Sequence, residues 1–400
     1  MQAVYIVAAK RSAITKAGRG GFANYRPDEL LAQVIKHTVM EAKINPQDIG
    51  DVVIGCAFPE AEQGLNVARI ASLLAGLPDS VPGMTVNRYC SSGLNAISIA
   101  ATAIMSGQYD VALAGGVESM SLIPMGGNDW SISPRAFTND LAPDIALNMG
   151  ITAENVAHQW QVSREAQDAF ALESNLRAVN AINSGYFKDE IIPLEVTHRV
   201  ANEQDNKVVD KTVVIDTDEC PHRQTSIEAL AKLKPAFATS GTVTAGNSSQ
   251  MSDGASVLVL VSEQYLKQHN LTPMAKFLGF AVSGVAPKIM GIGPVVAVPK
   301  VLQQVGLKLE QIDWIELNEA FAAQSLAVIH DLKLDTVKVN PCGGAIAFGH
   351  PLGATGAILT TKLLHGMIRT QKKYGMVTMC IGTGMGAAGI FEVTTSPMQR

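Results

Sequence analysis

Apolar and polar positions alternate between strand-like and helix-like patterns along the first 120 residues. A short apolar run covers Val4 to Ala9, and such a run is typical of a buried strand. Pro27 stands where a helix is predicted to begin, because its missing N–H and fixed φ suit the first helical turn. Further apolar runs from Ile49 to Cys56 and from Val111 to Gly116 predict two more strands. This alternation predicts an α/β layer architecture.

The pattern changes between residues 121 and about 245, where polar residues are more frequent. Ser163 is suited to cap a long helix at its N-terminus, and Gly185 to stop it. The buried face predicted for this helix is a stripe of apolar residues: Ala169, Leu172, Leu176 and Val179. Strand and helix signals resume near Gly254, so the polar region is predicted to be an insertion between two α/β regions.

The two α/β regions share an order of motifs that indicates internal duplication. The segment from Ile44 to Ile54 has a counterpart from Leu307 to Leu317. Asn87-Arg-Tyr-Cys90 and Asn340-Pro-Cys342 each come before an apolar helix, which an apolar strand follows. Generic strand-helix units can resemble each other by chance, but three matches in one order favour a duplication. The predicted domains are an N-terminal half of residues 1–120 and 249–275, an inserted domain of residues 121–248, and a C-terminal half of residues 276–400.

Composition and charge limit the class of protein. The 400 residues are 47% apolar and 17% charged, a balance that excludes a disordered or fibrous chain. The formal net charge is −5 and no block of five like charges occurs, which argues against a nucleic-acid partner or a membrane surface. No apolar run approaches the ~20 residues that a membrane helix needs. A small anionic ligand remains compatible with this charge, because a few arginines and lysines suffice to hold it.

The number and spacing of the cysteines indicate the cellular compartment. There are five, an odd number without close pairing. The N-terminus enters the first predicted strand directly, without the charged and long apolar regions of an export signal. Because disulfides are rare in the reducing cytosol, we expect five thiols and a cytoplasmic protein.

Cys90 is the first candidate for chemistry. It lies between a strand-like segment and a helix that is apolar on all sides, and such a helix belongs in a protein interior. Free N–H groups at the start of that helix lower the pKa of a nearby thiol and favour the reactive thiolate. A small buried side chain without a catalytic role is the alternative. This segment alone does not decide between the two.

His350 is the second candidate. Glycines precede it, and Pro351 and Gly353 follow, so it is predicted to stand on an irregular turn before a helix. A lone histidine is more often structural than catalytic. The density of glycine permits close approach of a ligand, and imidazole is the side chain that exchanges a proton near neutral pH. These features favour a functional role for His350.

Cys380 and Asn318 each lie where a predicted strand ends. Gly384 to Gly389 match the G-x-G-x-x-G dinucleotide fingerprint, but only 11 residues follow, too few for the helix, strand and acidic residue that the fingerprint requires. A glycine-rich hairpin beside Cys380 is the better interpretation. Asn318 lies where sites form in open α/β sheets, with a helix cap as the alternative.

Other chemistries find little support in the sequence. It contains no C-x-x-C, no H-E-x-x-H and no G-x-S-x-G motif, and its eight histidines are scattered. We therefore expect neither a metal site nor a serine nucleophile. The segment Ala245-Gly-Asn-Ser-Ser249 is compatible with a plain turn or with a ligand loop.

The motifs resemble those of thiolases over essentially the whole chain. The resemblance is carried by four blocks: Asn87-Arg-Tyr-Cys-Ser-Ser-Gly93, Asn318-Glu-Ala-Phe-Ala322, Gly343-Gly-Ala-Ile-Ala-Phe-Gly-His-Pro-Leu-Gly353 and Cys380-Ile-Gly-Thr-Gly384. It implies a five-layer α-β-α-β-α arrangement of two duplicated α/β domains with an inserted loop domain. In thiolases that loop domain binds coenzyme A and helps to assemble dimers into tetramers.

The resemblance also implies residue roles. Cys90 corresponds to the acylated nucleophile, and His350 to the residue that activates it. His350 and a water held by Asn318 would form the oxyanion hole for the thioester enolate. Cys380 corresponds to the acid and base at the carbon next to the thioester. The N–H groups of Cys90 and Gly382 would form a second oxyanion hole.

Substrate and subclass follow from the same resemblance. Arg223 and Ser249 match family positions near coenzyme A, which is a substrate, and no cofactor is implied. Asn340-Pro-Cys342-Gly-Gly departs from the Asn-Gly-Gly of many biosynthetic thiolases and resembles degradative ones. We therefore expect a 3-ketoacyl-CoA thiolase, active as a homodimer or homotetramer. The alternatives are an acetyl-CoA C-acetyltransferase, a non-catalytic acyl-CoA-binding or lipid-binding protein of this fold, and a thiol–disulfide redox protein. Cys342 matches no family role.

Overall fold

A computed structural model describes residues 2–129, 131–137, 143–201 and 208–394. The twelve strands in these ranges are β1 (Val4–Arg11), β2 (Thr15–Lys16), β3 (Ile49–Gly55), β4 (Met84–Val86), β5 (Val111–Ser119), β6 (Leu194–Ala201), β7 (Val208–Ile215), β8 (Ser252–Ser262), β9 (Ala275–Gly284), β10 (Trp314–Leu317), β11 (Tyr374–Ile381) and β12 (Met385–Val393).

Eleven α-helices lie in the same ranges. They are α1 (Pro27–Ala42), α2 (Val67–Leu74), α3 (Ser92–Met105), α4 (Met149–Gln159), α5 (Arg164–Asn183), α6 (Ile227–Ala231), α7 (Glu263–Gln268), α8 (Gly293–Val305), α9 (Ala322–Leu332), α10 (Ala345–Phe348) and α11 (Leu352–Thr370). The predicted strands at the start of the chain correspond to β1, β3 and β5.

The first half of the sheet has the strand order β4-β3-β5-β8-β1. β3 runs parallel to β4 and β5, whereas β8 runs antiparallel to β5 and β1. Every residue of β5 and β8 is buried. Both faces of these two strands are therefore covered, which explains why their sequences are small or apolar at nearly every position instead of alternating.

The second half repeats this topology. Its order is β10-β11-β12-β9, and Val339 adds a single parallel bridge to Ile315 on the outer side of β10. This isolated bridge takes the place that β4 has in the first half, so both halves have the same strand order. The predicted duplication is thereby confirmed. The two halves meet at one edge, where Tyr5 pairs with Lys276 and Ile6 with Ala275.

The helices complete five layers. α1 and α2 cover the outer face of the first half, and α8 covers the outer face of the second. α3 and α11 pack against each other between the two halves. Glycines permit this close crossing, because a Cβ on Gly356 would collide with the backbone nitrogen of Leu94, and one on Gly93 would lie 2.7 Å from that of Ala357.

Arg11 of β1 fastens the inserted segment to this core. Its guanidinium is fully buried and contacts Glu190 at 2.6 Å and Asp218 at 2.8 Å. Both carboxylates come from the insertion, so one buried cation on the core pairs with two buried carboxylates of the added segment. The ring of Phe187 packs against the same guanidinium.

The long helix of the insertion, α5, is present and Ser163 caps it, but the predicted buried face is wrong. Ala169 is exposed and Leu176 is 47% exposed. The face that packs inward consists of small and polar residues: Gln167, Asp168, Ala171, Ser174, Asn175, Ala178 and Ala181. The reason is that these polar groups find partners: Asp168, for example, binds Arg164 and Asn247.

None of the helices in the described ranges is long and apolar enough to cross a membrane.

Candidate active site

Cys90 lies in a single 3₁₀ turn, Tyr89–Ser91, immediately before α3. Tyr89 has a φ of +44°, which is left-handed and unfavourable for a residue with a side chain. Two side chains hold this turn: Asn87 Oδ1 accepts the N–H of Tyr89 at 2.8 Å, and Ser92 Oγ donates to the carbonyl of Tyr89 at 2.7 Å. The sequence therefore fixes the Cys90 sulfur at the start of a buried helix.

Burial raises the pKa of the Cys90 thiol to about 11. The N–H groups of Gly382 and of Cys90 itself act in the opposite direction, and the nearby carboxylate of Glu118 adds to the rise. The expectation that the helix start would favour thiolate at rest is wrong, because the loss of water around the sulfur outweighs the backbone donors. The resting residue is a neutral thiol that already faces two N–H groups.

Gly382 and Cys380 belong to the hairpin of β11 and β12, which pair antiparallel through their whole length. The glycine-rich hairpin predicted at Gly384 to Gly389 is thereby confirmed. Cys380 is 1% exposed. Burial raises the pKa of its thiol well above the usual value, and the charge of an ionised Cys90 raises it further. The two buried sulfurs therefore lie close enough for the charge of Cys90 to affect the ionisation of Cys380.

His350 stands on the turn between α10 and α11. Its Nδ1 lies 2.6 Å from Thr355 Oγ1, whose own proton goes to the carbonyl of Pro351 at 3.0 Å. Thr355 can then only accept at this contact, so Nδ1 carries the hydrogen and Nε2 is the basic nitrogen. Burial lowers the pKa of His350 to about 3, which keeps the ring neutral.

Asn318 brings its amide to the basic side of this ring. Its Nδ2 lies 3.3 Å from His350 Nε2. Its Oδ1 is buried without a hydrogen-bond partner among the described residues, which is costly unless a small polar molecule fills the place. Leu352, two residues after His350, packs in the same apolar cluster as Cys90. Predicted residues from both halves of the chain therefore converge here.

Two residues that matter to this geometry were not predicted. Thr355 fixes the imidazole, and its only signal is a hydroxyl residue in the first turn of the helix after His350. Glu118 is 1% exposed and its Oε2 accepts the N–H groups of Ala57 and Gly353, both at 2.7 Å. A carboxylate on β5 thus holds the start of α11, three residues after His350.

The predicted coenzyme A positions lie on the insertion side. Ser249 N–H donates to the carbonyl of Ala320 at 2.9 Å, which places Ser249 beside the Asn318 segment. Arg223 is exposed, with its Nη1 3.4 Å from Asn183 Oδ1. Burial lowers the pKa of His222, and the positive charges of Lys16 and Arg19 lower it further. Lys16 and Arg19 therefore lie near enough to the segment that carries Arg223 to add positive charge to it.

Among the described residues, no group of three or more histidine, cysteine, aspartate or glutamate side chains is arranged to hold a metal ion. The five cysteines are free and buried.

Family models cover nearly the whole chain. Residues 4–264 match the thiolase N-terminal domain, and residues 271–393 match the thiolase C-terminal domain. A 3-ketoacyl-CoA thiolase of Bacillus subtilis is 51% identical over 393 residues, which are 98% of this chain and 100% of the relative. The human peroxisomal 3-ketoacyl-CoA thiolase is 45% identical over 390 residues, 97% of this chain and 90% of the relative.

Solved structures agree with these relatives. An acetyl-CoA acetyltransferase of Bacillus anthracis superimposes with a TM-score of 0.89 at 40% identity, covering 98% of this chain and 99% of the other. Human mitochondrial 3-ketoacyl-CoA thiolase superimposes with a TM-score of 0.88 at 37% identity, covering 98% of this chain and 99% of the other. The sequence blocks, the duplicated sheet and the site residues that converge from both halves all agree with these matches. The chain belongs to the thiolase family.

Proposed function

We propose that the chain cleaves 3-ketoacyl-CoA with coenzyme A, giving acetyl-CoA and a shortened acyl-CoA, and that the reaction is reversible. The observation that carries the proposal is the buried thiol of Cys90, with the N–H groups of Gly382 and Cys90 directed at it. The thiol of Cys380 lies near that of Cys90, and the neutral imidazole of His350 stands two residues before Leu352, which packs in the same cluster as Cys90. Relatives named 3-ketoacyl-CoA thiolase support this substrate class.

In the first step, His350 Nε2 takes the proton of the Cys90 thiol as the sulfur attacks the keto carbon. With a thiol pKa near 11 and an imidazole pKa near 3, proton transfer accompanies the attack and does not precede it. The N–H groups of Cys90 and Gly382 hold the oxyanion that forms. Such donors act where charge develops, and loss of one typically costs about 10²–10³ in rate.

In the second step, the carbon–carbon bond breaks and its electron pair leaves on the acetyl-CoA fragment as an enolate. The imidazole and a water on the open Oδ1 of Asn318 would stabilise the enolate oxygen, and the Cys380 thiol would protonate the departing carbon. The acyl group remains as a thioester on Cys90. Coenzyme A then attacks this thioester and gives its thiol proton to the Cys380 thiolate, while protonated His350 returns its proton to the departing Cys90 sulfur, so that all three groups regain their resting state.

Coenzyme A enters this scheme as a substrate, and the steps use no metal and no redox cofactor. Its phosphates carry negative charge, so the cations around Arg223 supply the complementary field. Arg223 and Ser249 are proposed to contact it. Lys16 and Arg19, which act electrostatically on His222, extend the same cationic surface.

A second candidate within the family is an acetyl-CoA C-acetyltransferase that forms acetoacetyl-CoA. The similarity to the Bacillus anthracis acetyl-CoA acetyltransferase favours it, whereas the Asn340-Pro-Cys342 segment favours the degradative subclass. Steady-state thiolysis of 3-ketoacyl-CoA substrates of increasing chain length decides between the two activities. Activity that persists or rises beyond acetoacetyl-CoA supports the main proposal, and activity on acetoacetyl-CoA alone contradicts it. No cleavage at any chain length would leave a non-catalytic acyl-CoA-binding protein.

We also propose that the protein is a homodimer or homotetramer in the cytoplasm. β4 is an edge strand of the sheet, and apolar side chains are exposed beside it: Leu65 is 91% exposed and Leu74 49%. An open sheet edge with exposed apolar neighbours is normally covered. Size-exclusion chromatography with light scattering tests this, and an active monomer would contradict it. Five free thiols fit the reducing cytoplasm.

A further inference from the structure

The carboxylate of Glu319 follows directly after Asn318 and is almost fully buried, with 2% of the residue exposed. It accepts three hydrogen bonds. Ser174 Oγ donates at 2.6 Å, Asn340 Nδ2 at 2.7 Å and the N–H of Ile346 at 3.2 Å. All three partners are donors and favour the ionised carboxylate, whereas burial has the larger effect and raises the pKa of this group.

These partners belong to three separate parts of the chain. Ile346 lies in α10, the short helix that ends just before His350. Ser174 lies on α5 of the insertion, and its Oγ also accepts the N–H of Gly344 at 3.1 Å. A Cβ on Gly344 would collide with the carboxyl carbon of Glu319. The carboxylate therefore joins the Asn318 segment, the His350 loop and the insertion at one point.

The orientation of Asn340 is fixed by the backbone. Its Oδ1 accepts the N–H of Leu317 at 2.9 Å, and its Nδ2 donates to the carbonyl of Leu317 at 2.8 Å as well as to Glu319. If the amide were flipped, its NH₂ group would face the N–H of Leu317, and two donors would oppose each other. Asn340 must therefore present an N–H to residue 319, whatever stands there.

We propose that Glu319 is a positioning residue, which holds the amide of Asn318 and the imidazole of His350 at the separation that the enolate oxyanion hole requires. Through Ser174, this geometry depends on the docking of the inserted segment against the core. The proposal rests on the roles proposed above for Asn318 and His350. Glu319 itself touches no reacting atom and acts through its two neighbours.

Glu319→Gln tests the charge and the acceptor pattern with little change of shape. The remaining side-chain oxygen can still accept from Ser174 and Ile346, but the new amide nitrogen then faces the fixed N–H of Asn340. The two donors repel, and the segment that carries Asn318 must shift. Ser174→Ala is a milder variant, which removes one donor from the carboxylate and one acceptor from Gly344.

Two reactions separate the enolate step from acyl transfer. Exchange of labelled coenzyme A into acetyl-CoA needs only acyl transfer through Cys90, whereas cleavage of a 3-ketoacyl-CoA also needs the enolate to be stabilised. We expect Glu319→Gln to lower kcat for cleavage about 10- to 100-fold, since displacements of ~1 Å cost up to about 10²-fold, with KM within about twofold. The ratio of cleavage to exchange should fall about tenfold, and in Ser174→Ala about threefold.

Glu154→Gln is the matched control. Glu154 also lies on the insertion, where its carboxylate accepts the N–H groups of Thr242 and Val243 at 2.9–3.0 Å. Among the described residues it has no hydrogen bond with Asn318, Glu319 or His350. This variant should loosen the insertion without changing the ratio of cleavage to exchange. Melting temperatures of all variants show how much stability each has lost.

The outcomes are distinct. An unchanged ratio in folded Glu319→Gln and in Ser174→Ala would overturn the positioning role, as would an equal fall of the ratio in Glu154→Gln. If Glu319→Gln does not fold, Ser174→Ala alone decides. Asn318→Ala is the reference: if it leaves cleavage unchanged, the proposed oxyanion hole is wrong, whatever Glu319 does.

Discussion

Thr355 Oγ1 lies 2.6 Å from His350 Nδ1 and, by donating its own proton to Pro351 at 3.0 Å, determines which imidazole nitrogen faces the site. The first turn of α11 thus sets the chemical identity of the base as well as its direction. Without this acceptor, the hydrogen is free to move to Nε2, where it would block proton uptake from Cys90.

Thr355→Val removes the hydroxyl with almost no change of volume. We expect kcat to fall about 10- to 100-fold, a loss typical of a misoriented general base, with KM nearly unchanged. Thr355→Ser keeps the acceptor and should retain most activity. Steady-state thiolysis by the three proteins measures this, and equal rates for the valine variant and the wild type would show that the contact has no catalytic consequence.

Cys90 is expected to be the thiol whose alkylation abolishes activity, because it is the one that faces two N–H donors in the proposed substrate pocket. Its pKa of about 11 makes the thiolate scarce at neutral pH, so the rate of inactivation by iodoacetamide should rise about tenfold per pH unit in the alkaline range.

Peptide mapping identifies the labelled cysteine, and prior incubation with acyl-CoA should protect it. Cys90→Ser supplies the background labelling of the other four thiols. Inactivation that follows labelling of Cys56 or Cys220, with Cys90 unmodified, would contradict the assignment of the nucleophile.

His350 links stability to pH. Its pKa is about 3 in the folded protein, against 6.5 as the ordinary value. As the pH falls below 6.5, the unfolded chain binds a proton that the folded protein does not, so the free energy of unfolding decreases until about pH 3. The contribution amounts to about 1.4 kcal/mol per pH unit. Urea unfolding at about pH 6 and pH 5 should show a shallower decline for His350→Asn than for the wild type, and equal slopes would contradict the buried neutral ring.

Arg11 is expected to dominate the attachment of the insertion. Arg11→Met leaves Glu190 and Asp218 buried without their cation, and removal of one partner of a buried ion pair costs about 3–5 kcal/mol. Thermal unfolding and limited proteolysis between residues 121 and 248 measure the loss. Lys267→Met is the control, because its partner Glu263 and Lys267 itself are exposed, and it should change stability little. Similar melting temperatures for the two variants would refute the role of Arg11.

The duplicated sheet could be predicted from the sequence. Strands that are buried on both faces, such as β5 and β8, consist of unbroken runs of small and apolar residues, and such runs can be recognised in the sequence. The inward face of α5 did not, because its polar residues are buried only against partners that lie far away in the chain: Ser174 meets Glu319, and Asp168 meets Asn247. A helical stripe of apolar residues carries no information about such pairings.

The candidate site shows the same division. Residue types and glycine spacing singled out Cys90, His350 and Cys380, since their chemistry is visible in the side chain itself. The pKa of Cys90 was expected to fall and instead rises, because burial depends on how the two halves of the chain enclose the sulfur. Thr355 and Glu118 were missed for a related reason: each acts by holding a neighbour, and an acceptor in a fixed position has no sequence signature.

The central claim is that Cys90 and Cys380 perform different steps. Acyl transfer needs Cys90, whereas Cys380 is needed only when a carbon–carbon bond forms or breaks, because only then does a carbon gain or lose a proton. The most direct measurement compares Cys380→Ala with Cys90→Ala in two assays: exchange of labelled coenzyme A into acetyl-CoA, and cleavage of a 3-ketoacyl-CoA. Cys380→Ala should still exchange and be severely impaired in cleavage, while Cys90→Ala should fail both. A folded Cys380→Ala that loses exchange as completely as Cys90→Ala would contradict the account.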